Sequence, residues 1–67
     1  MELIDTPNPN AKKIETDVQD EEIVNNLNNI DGVSSVFLGP DFITITKYES
    51  SSWELITQDI INIFDKL

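Results

Sequence analysis

Three groups of side chains could do chemistry in this chain: the acids Asp17, Asp20, Glu21 and Glu22, the serines Ser50–Ser52, and the lysines Lys12, Lys13 and Lys47. Each group narrows quickly. Cysteine, histidine and arginine are absent, so no thiol or imidazole is available as nucleophile or base, and the hydroxyls lack a partner to activate them. The four acids lack the alternating D-x-[DN]-x-[DN]-G loop and distant glutamate of a calcium-binding hand. They read better as the solvated start of a helix, where carboxylates face the positive end of the dipole. Ser51, with Glu54 three residues on, reads as a capping box. Trp53 beside it reads as a core anchor. Paired carboxylates working as acid and base need a cleft, for which 67 residues leave little room. The expectation is a non-enzyme without resident metal or cofactor. The lysines remain: Lys12, Lys13 and Lys47 fit either a small basic patch on neighbouring strands or edge charges that discourage strand addition.

The elements that must position these groups follow from periodicity. "MELIDT" and "AKKIET" are short extended runs, with Ile14 the one sizeable apolar residue of the second. Ile23, Leu27 and Ile30, with Val24 beside them, recur at helical spacing. That helix is expected to be capped by Thr16 or Asp17 and stopped by Gly32 in a left-handed conformation. Its other face, Asn25, Asn26, Asn28 and Asn29, consists of poor helix formers, so packing must hold it. "VSSVFLG" and "DFITITKYE" are strands joined by a tight Gly39–Pro40–Asp41 turn. In the second, Ile43 and Ile45 face a core, while Phe42, Thr44, Thr46 and Tyr48 face away. Trp53, Ile56, Ile60, Ile63, Phe64 and Leu67 mark the buried stripe of a last helix, with Leu55 and Ile61 off its centre.

The order is β-β-α-β-β-α in a single domain, residues 1–67. The expected fold is α+β, a two-layer sandwich with a small antiparallel-dominated sheet and two helices of about three turns each on one face. "DFITITK" is expected between "SSVFL" and the N-terminal segment. A core of this size, unaided by disulfides or zinc, supports roughly 3–5 kcal/mol of stability.

Thirteen acids against four lysines give a formal charge of −9. Nucleic-acid binding needs clustered basic residues, and an anionic membrane would repel this chain. A basic protein partner, or plain solubility, is what the acidity permits. With no apolar run of about 20 residues and no basic-then-apolar N-terminus, the expected location is cytoplasmic and the isolated domain is expected to be a monomer.

"DTPNPNAKK" contains the least regular stretch. Pro7 and Pro9 flank Asn8 beside what reads as the first strand. Proline lacks a ladder donor, so this strand is expected at an edge, with Asn8 and Asn10 serving the turn through side-chain hydrogen bonds. The expected contact surface for a partner, if the hairpin is more than structural, is Thr6, Pro7, Asn8, Pro9, Asn10, Lys12 and Lys47.

Taken together, "DTPNPNAKKI", "IDGVSSVFLGPDFITITK" and Trp53 followed by Ile56 and Ile60 resemble the N-terminal domain of Nfu-type iron–sulfur cluster scaffold proteins, from about Leu3 to Phe64. The resemblance implies an accessory, protein-contacting module whose partners are cluster-assembly proteins or client apoproteins, with the cluster held by a separate C-x-x-C domain. No C-x-x-C occurs here, and both an excised domain and a free-standing relative fit. Three further departures stand out: a short Glu15–Gln19 segment, Asn28 where the family tends to an aromatic, and Lys12 where an apolar residue is usual. The alternative is a free-standing acidic regulator of a basic protein.

Overall fold

The structure is a computed structural model and describes residues 2–66. Its elements are β1 (Ile4–Asp5), β2 (Ala11–Glu15), α1 (Glu21–Asn28), β3 (Val33–Leu38), β4 (Phe42–Lys47) and α2 (Trp53–Asp65). The four strands form one sheet in the order β1-β2-β4-β3, antiparallel throughout. The expected architecture and the central place of "FITITK" therefore hold, as does the edge position of the strand that leads into the prolines.

Register explains the core. Ile14 lies opposite Ile43, which in turn lies opposite Leu38, and Ile45 lies opposite Val36. Directly opposed residues share a face, so the isoleucines of β4 make one apolar row with β2 and β3. Ile23, Leu27 and Ile30 from the α1 region and Ile56 and Ile60 from α2 close over that row. Leu27, Ile43, Ile45 and Ile60 are completely buried. Trp53, Ile63 and Phe64 pack at the margin, and Leu55 is largely exposed. Leu67 lies outside the described residues.

Three helix boundaries differ from expectation. Asp20, not Thr16 or Asp17, caps α1, its carboxylate accepting the Glu22 N–H at 2.9 Å. The chain is still extended at Thr16, whose N–H donates to Asp41 O, and the Thr16 hydroxyl accepts from the Val18 N–H. The short Glu15–Gln19 segment is thereby held to the β3–β4 turn, where the Gln19 amide donates to Gly39 O and Pro40 O. Second, α1 ends at Asn28, with Asn29 still right-handed as its C-cap, so it has little more than two turns. The asparagines give it no reason to continue. Gly32 acts later, in a turn where Val33 N–H donates to Ile30 O. Third, Ser52 rather than Ser51 caps α2, because Ser51 is already held in a turn by its N–H to Tyr48 O. The Ser51–Glu54 capping box does not form.

Gly32 is required where it stands. Its φ is +99°, and a Cβ there would come within 2.8 Å of Ser51 Oγ and 3.3 Å of Ile56 Cδ1. Gly32→Ala is therefore expected to cost about 2 kcal/mol, the upper end of the left-handed penalty. Thermal unfolding measures it, and a variant as stable as the parent would contradict the account.

Candidate partner-contact corner

The proline stretch is a hairpin loop with its own internal bonding. Register pairs Ile4 with Lys13 and Asp5 with Lys12, which leaves Thr6–Asn10 to reverse the chain. Ala11 N–H donates to Asn8 O at 3.0 Å, closing a turn with Pro9 at its second position, where a φ fixed near −65° belongs. The Asn8 side chain accepts the Asn10 N–H at 2.9 Å, the Asx arrangement that mimics a further backbone turn. The Thr6 hydroxyl lies 2.8 Å from Ala11 O and 2.9 Å from Asn8 O, and accepts from the Asn8 N–H. A side chain thus continues the ladder where Pro7 has no N–H to offer. Asn8 serves the turn as expected; Asn10 does something else, its side-chain oxygen accepting from Lys47 Nζ at 3.1 Å.

Two elements clamp this loop to the body. Lys47 N–H donates to Asn10 O at 2.8 Å, extending the β2–β4 ladder. Trp53, at the start of α2, donates its indole N–H to Pro9 O at 3.1 Å. A half-buried tryptophan with an apolar body and one donor suits this position. The clamp crosses 44 residues of sequence and is the part that sequence reasoning missed, since a helix-start tryptophan reads simply as core. Its only signal is that an indole N–H at a domain margin needs an acceptor.

Lys12 completes the corner. It lies opposite Ile45, on the helix-covered side of the sheet, where an apolar side chain would pack. Its ammonium sits 5.4 Å from the Trp53 ring centre and 3.4 Å from Asp5 Oδ1. The methylene stem can thus occupy the apolar position while the charge reaches out along the ring. Exposed ion pairs contribute little, so the contact with Trp53 is the more telling one. Lys13 does not join: it lies opposite Ile4 and Thr44, on the other side of the sheet. Of the seven residues expected to meet a partner, Thr6–Asn10 form the loop, Pro9 and Lys12 touch Trp53, and Lys47 reaches the corner through Asn10. Pro7, Asn8 and Pro9 are exposed. Asp5–Pro9 and Ala11 line a shallow depression of about 300 Å³. A larger open depression, about 530 Å³, lies between the start of α1 and the end of α2, around Ile23 and Ile63.

The groups present in this corner are a backbone loop, the Thr6 hydroxyl, an indole, two ammonium groups, the Asp5 carboxylate and amides. Among the described residues no cluster of three or more carboxylates could hold a metal ion, and no helix is long and apolar enough to cross a membrane. What the corner offers is a pre-ordered loop beside two ammonium groups, one of them paired with Asp5, on an otherwise acidic molecule.

Comparison with known proteins agrees with the motifs. The family model described as the N-terminal part of scaffold protein Nfu/NifU matches residues 1–67. The human protein named NFU1 iron–sulfur cluster scaffold homolog, mitochondrial, is 41% identical over 84% of this chain, which covers 29% of that protein. NifU-like protein 5, mitochondrial, from Arabidopsis thaliana is 44% identical over 51% of this chain, covering 12% of that protein. The chain thus spans less than a third of the length of these curated relatives. Among solved structures, the crystal structure of protein SAV1430 from Staphylococcus aureus superposes with a TM-score of 0.83 at 25% identity, over 96% of this chain and 95% of that one. The solution structure of SeR13 from Staphylococcus epidermidis gives 0.69 at 31% identity, over 98% and 94%. The expected cytoplasmic location does not stand, because the curated relatives are mitochondrial by name. An α+β module matched along its whole length by the scaffold-protein model, this chain belongs to the Nfu/NifU N-terminal domain family.

Proposed function

We propose that this chain is an accessory protein-interaction domain of an iron–sulfur cluster scaffold or carrier, contacting partner proteins while the cluster is held elsewhere. The observation that carries the reading is a family match over residues 1–67 in a chain without a single cysteine or histidine. Thiolates are the ordinary ligands of such clusters, so the cluster is cargo for a separate C-x-x-C domain, and residues 1–67 form one unit beside it. Its partners are cluster-assembly proteins or apoproteins that receive clusters. Thr6–Asn10, Lys12 and Lys47 form the contact surface: the loop is pre-ordered by its own hydrogen bonds, so little entropy is lost on docking.

Incubation with iron and sulfide under reducing conditions is expected to leave the chain colourless after desalting. A stable visible chromophore bound in stoichiometric amount would overturn the division of labour.

The acidic-regulator alternative rests on the charge of −9. Salt separates the two readings. A bond made mainly by the exposed acids weakens steeply as ionic strength rises, whereas docking through the neutral proline loop and Trp53 changes little.

A further inference from the structure

The two edges of the sheet are built differently. β1 is two residues long and runs straight into the proline loop, an edge blunted against strand addition. β3, VSSVFL, contains no proline and no charge. Its one protective device is a bulge between Val33 and Ser35, which leaves the stretch from Ser35 to Leu38 regular.

The free hydrogen-bonding groups of that stretch can be identified. Gly39 N–H donates to Phe42 O at 2.8 Å, so residues 39 and 42 form the hydrogen-bonded pair that closes the hairpin. Antiparallel pairs alternate. Leu38–Ile43 is then non-hydrogen-bonded, Phe37–Thr44 hydrogen-bonded, and Val36–Ile45 non-hydrogen-bonded. The N–H and C=O groups of Val36 and Leu38 consequently point off the sheet edge. Beside them, on the side without helices, Phe37 is 62% exposed and leans on Phe42 with ring centres 6.0 Å apart. An aromatic side chain next to an open ladder offers both halves of strand-addition recognition: main-chain bonds for affinity and a side-chain contact for choice.

Charge selects the occupant. Exposed Asp31 and Asp41 bracket β3, and neither has an ion-pair partner among the described residues. A second copy paired antiparallel about Val36 would bring Asp31 opposite Asp41 of its mate, two like charges facing each other. We propose that the β3 edge is a docking site for an extended segment of a partner protein, with alternating apolar residues and basic residues at its ends. It adds as a fifth strand, places one apolar side chain on Phe37, and sets its cations against Asp31 and Asp41. This surface is separate from the proline corner, at the opposite edge of the sheet.

The test is titration of the isotope-labelled chain with a peptide carrying an alternating Val–Thr core between paired lysines, followed by amide shifts and hydrogen exchange. The expected result is slowed exchange at Val36 and Leu38, and shifts centred on β3. Binding should be roughly tenfold weaker when the terminal lysines are replaced by glutamates, and no edge protection should appear with a lysine-flanked Gly–Ser core. Val36→Pro removes an outward-facing donor, which an edge strand tolerates, and should abolish the exchange effect while the amide spectrum stays dispersed. Should that variant unfold, the D31K/D41K double variant serves instead, with lysine and glutamate peptides exchanging rank. Shifts centred on the α1 acids or on the proline loop would overturn the proposal, as would protection of the β3 edge by self-association in the absence of peptide.

Discussion

Ile43→Ala is expected to leave the chain largely unfolded at room temperature. Ile43 is completely buried, sits in β4, an inner strand of the sheet, and lies opposite both Ile14 and Leu38. Truncating a buried isoleucine to alanine costs roughly 2–5 kcal/mol, because the apolar contact is lost and the cavity left behind only partly collapses. A small core with no disulfide or metal holds about 3–5 kcal/mol in all. The two figures are comparable, so one side chain decides the fold. Ile43→Val calibrates the argument: at about 0.5–1.5 kcal/mol it should remain folded, with a midpoint lower by roughly 4–8 °C per kcal/mol. The chain has a single tryptophan, whose fluorescence can follow unfolding in both variants. An alanine variant that melts within a few degrees of the parent would contradict the packing described.

Trp53 carries the second large effect, and here two substitutions separate two roles. Trp53→Ala removes a half-buried aromatic from the core margin, the ring beneath Lys12, and the donor to Pro9 O. Fully buried aromatics cost about 3–5 kcal/mol on truncation to alanine; a half-buried one is expected to cost roughly 2–3 kcal/mol. Trp53→Phe keeps most of the apolar contact and loses only the indole donor, about 1 kcal/mol. The proline loop distinguishes them further. Its turn is closed by Ala11 N–H to Asn8 O and Asn10 N–H to Asn8 Oδ1, neither of which involves Trp53. Amide exchange at Asn10 and Ala11, measured relative to global unfolding, should therefore be nearly unchanged in Trp53→Phe, while amide shifts of the loop report its altered seat on α2. If those amides lose protection selectively, the loop is ordered by the clamp rather than by its own chemistry.

Much of this fold was legible because its signals are local. The alternation in "FITITK" placed Ile43 and Ile45 inward, and the 3.6-residue spacing of Ile56 and Ile60 fixed the buried face of α2; both sets are buried. The helix starts were less legible, because several residues compete for each cap. Thr16, Asp17 and Asp20 all have the chemistry, and the choice fell to Asp20 because Thr16 N–H is drawn into contact with Asp41, 25 positions further along. Ser51 lost to Ser52 for a similar reason. The contact corner was half visible: the prolines announce a turn, and Asn8 fills the expected part. The join between Pro9 and Trp53 depends on how β2 and α2 sit together, which no short window contains, whereas the separation of Lys12 from Lys13 follows from strand alternation alone. Lys12 shows how a charged residue is accommodated on the helix-covered face, its long apolar stem lying along the sheet while the ammonium reaches the Trp53 ring.

The central claim, that the domain contacts iron–sulfur proteins through its proline corner, is tested most directly by quantitative affinity capture with mass-spectrometric identification, at low and at moderate salt. The bait is the wild-type chain, compared with a Pro7→Ser/Lys12→Ala variant whose turn retains its hydrogen bonds and whose folding is checked by its amide spectrum. The account predicts that identified cluster-assembly or cluster-receiving proteins are enriched by the wild type at both salt levels and lost several-fold with the folded variant. Equal capture by both baits, or capture only of basic proteins that salt removes, would contradict it.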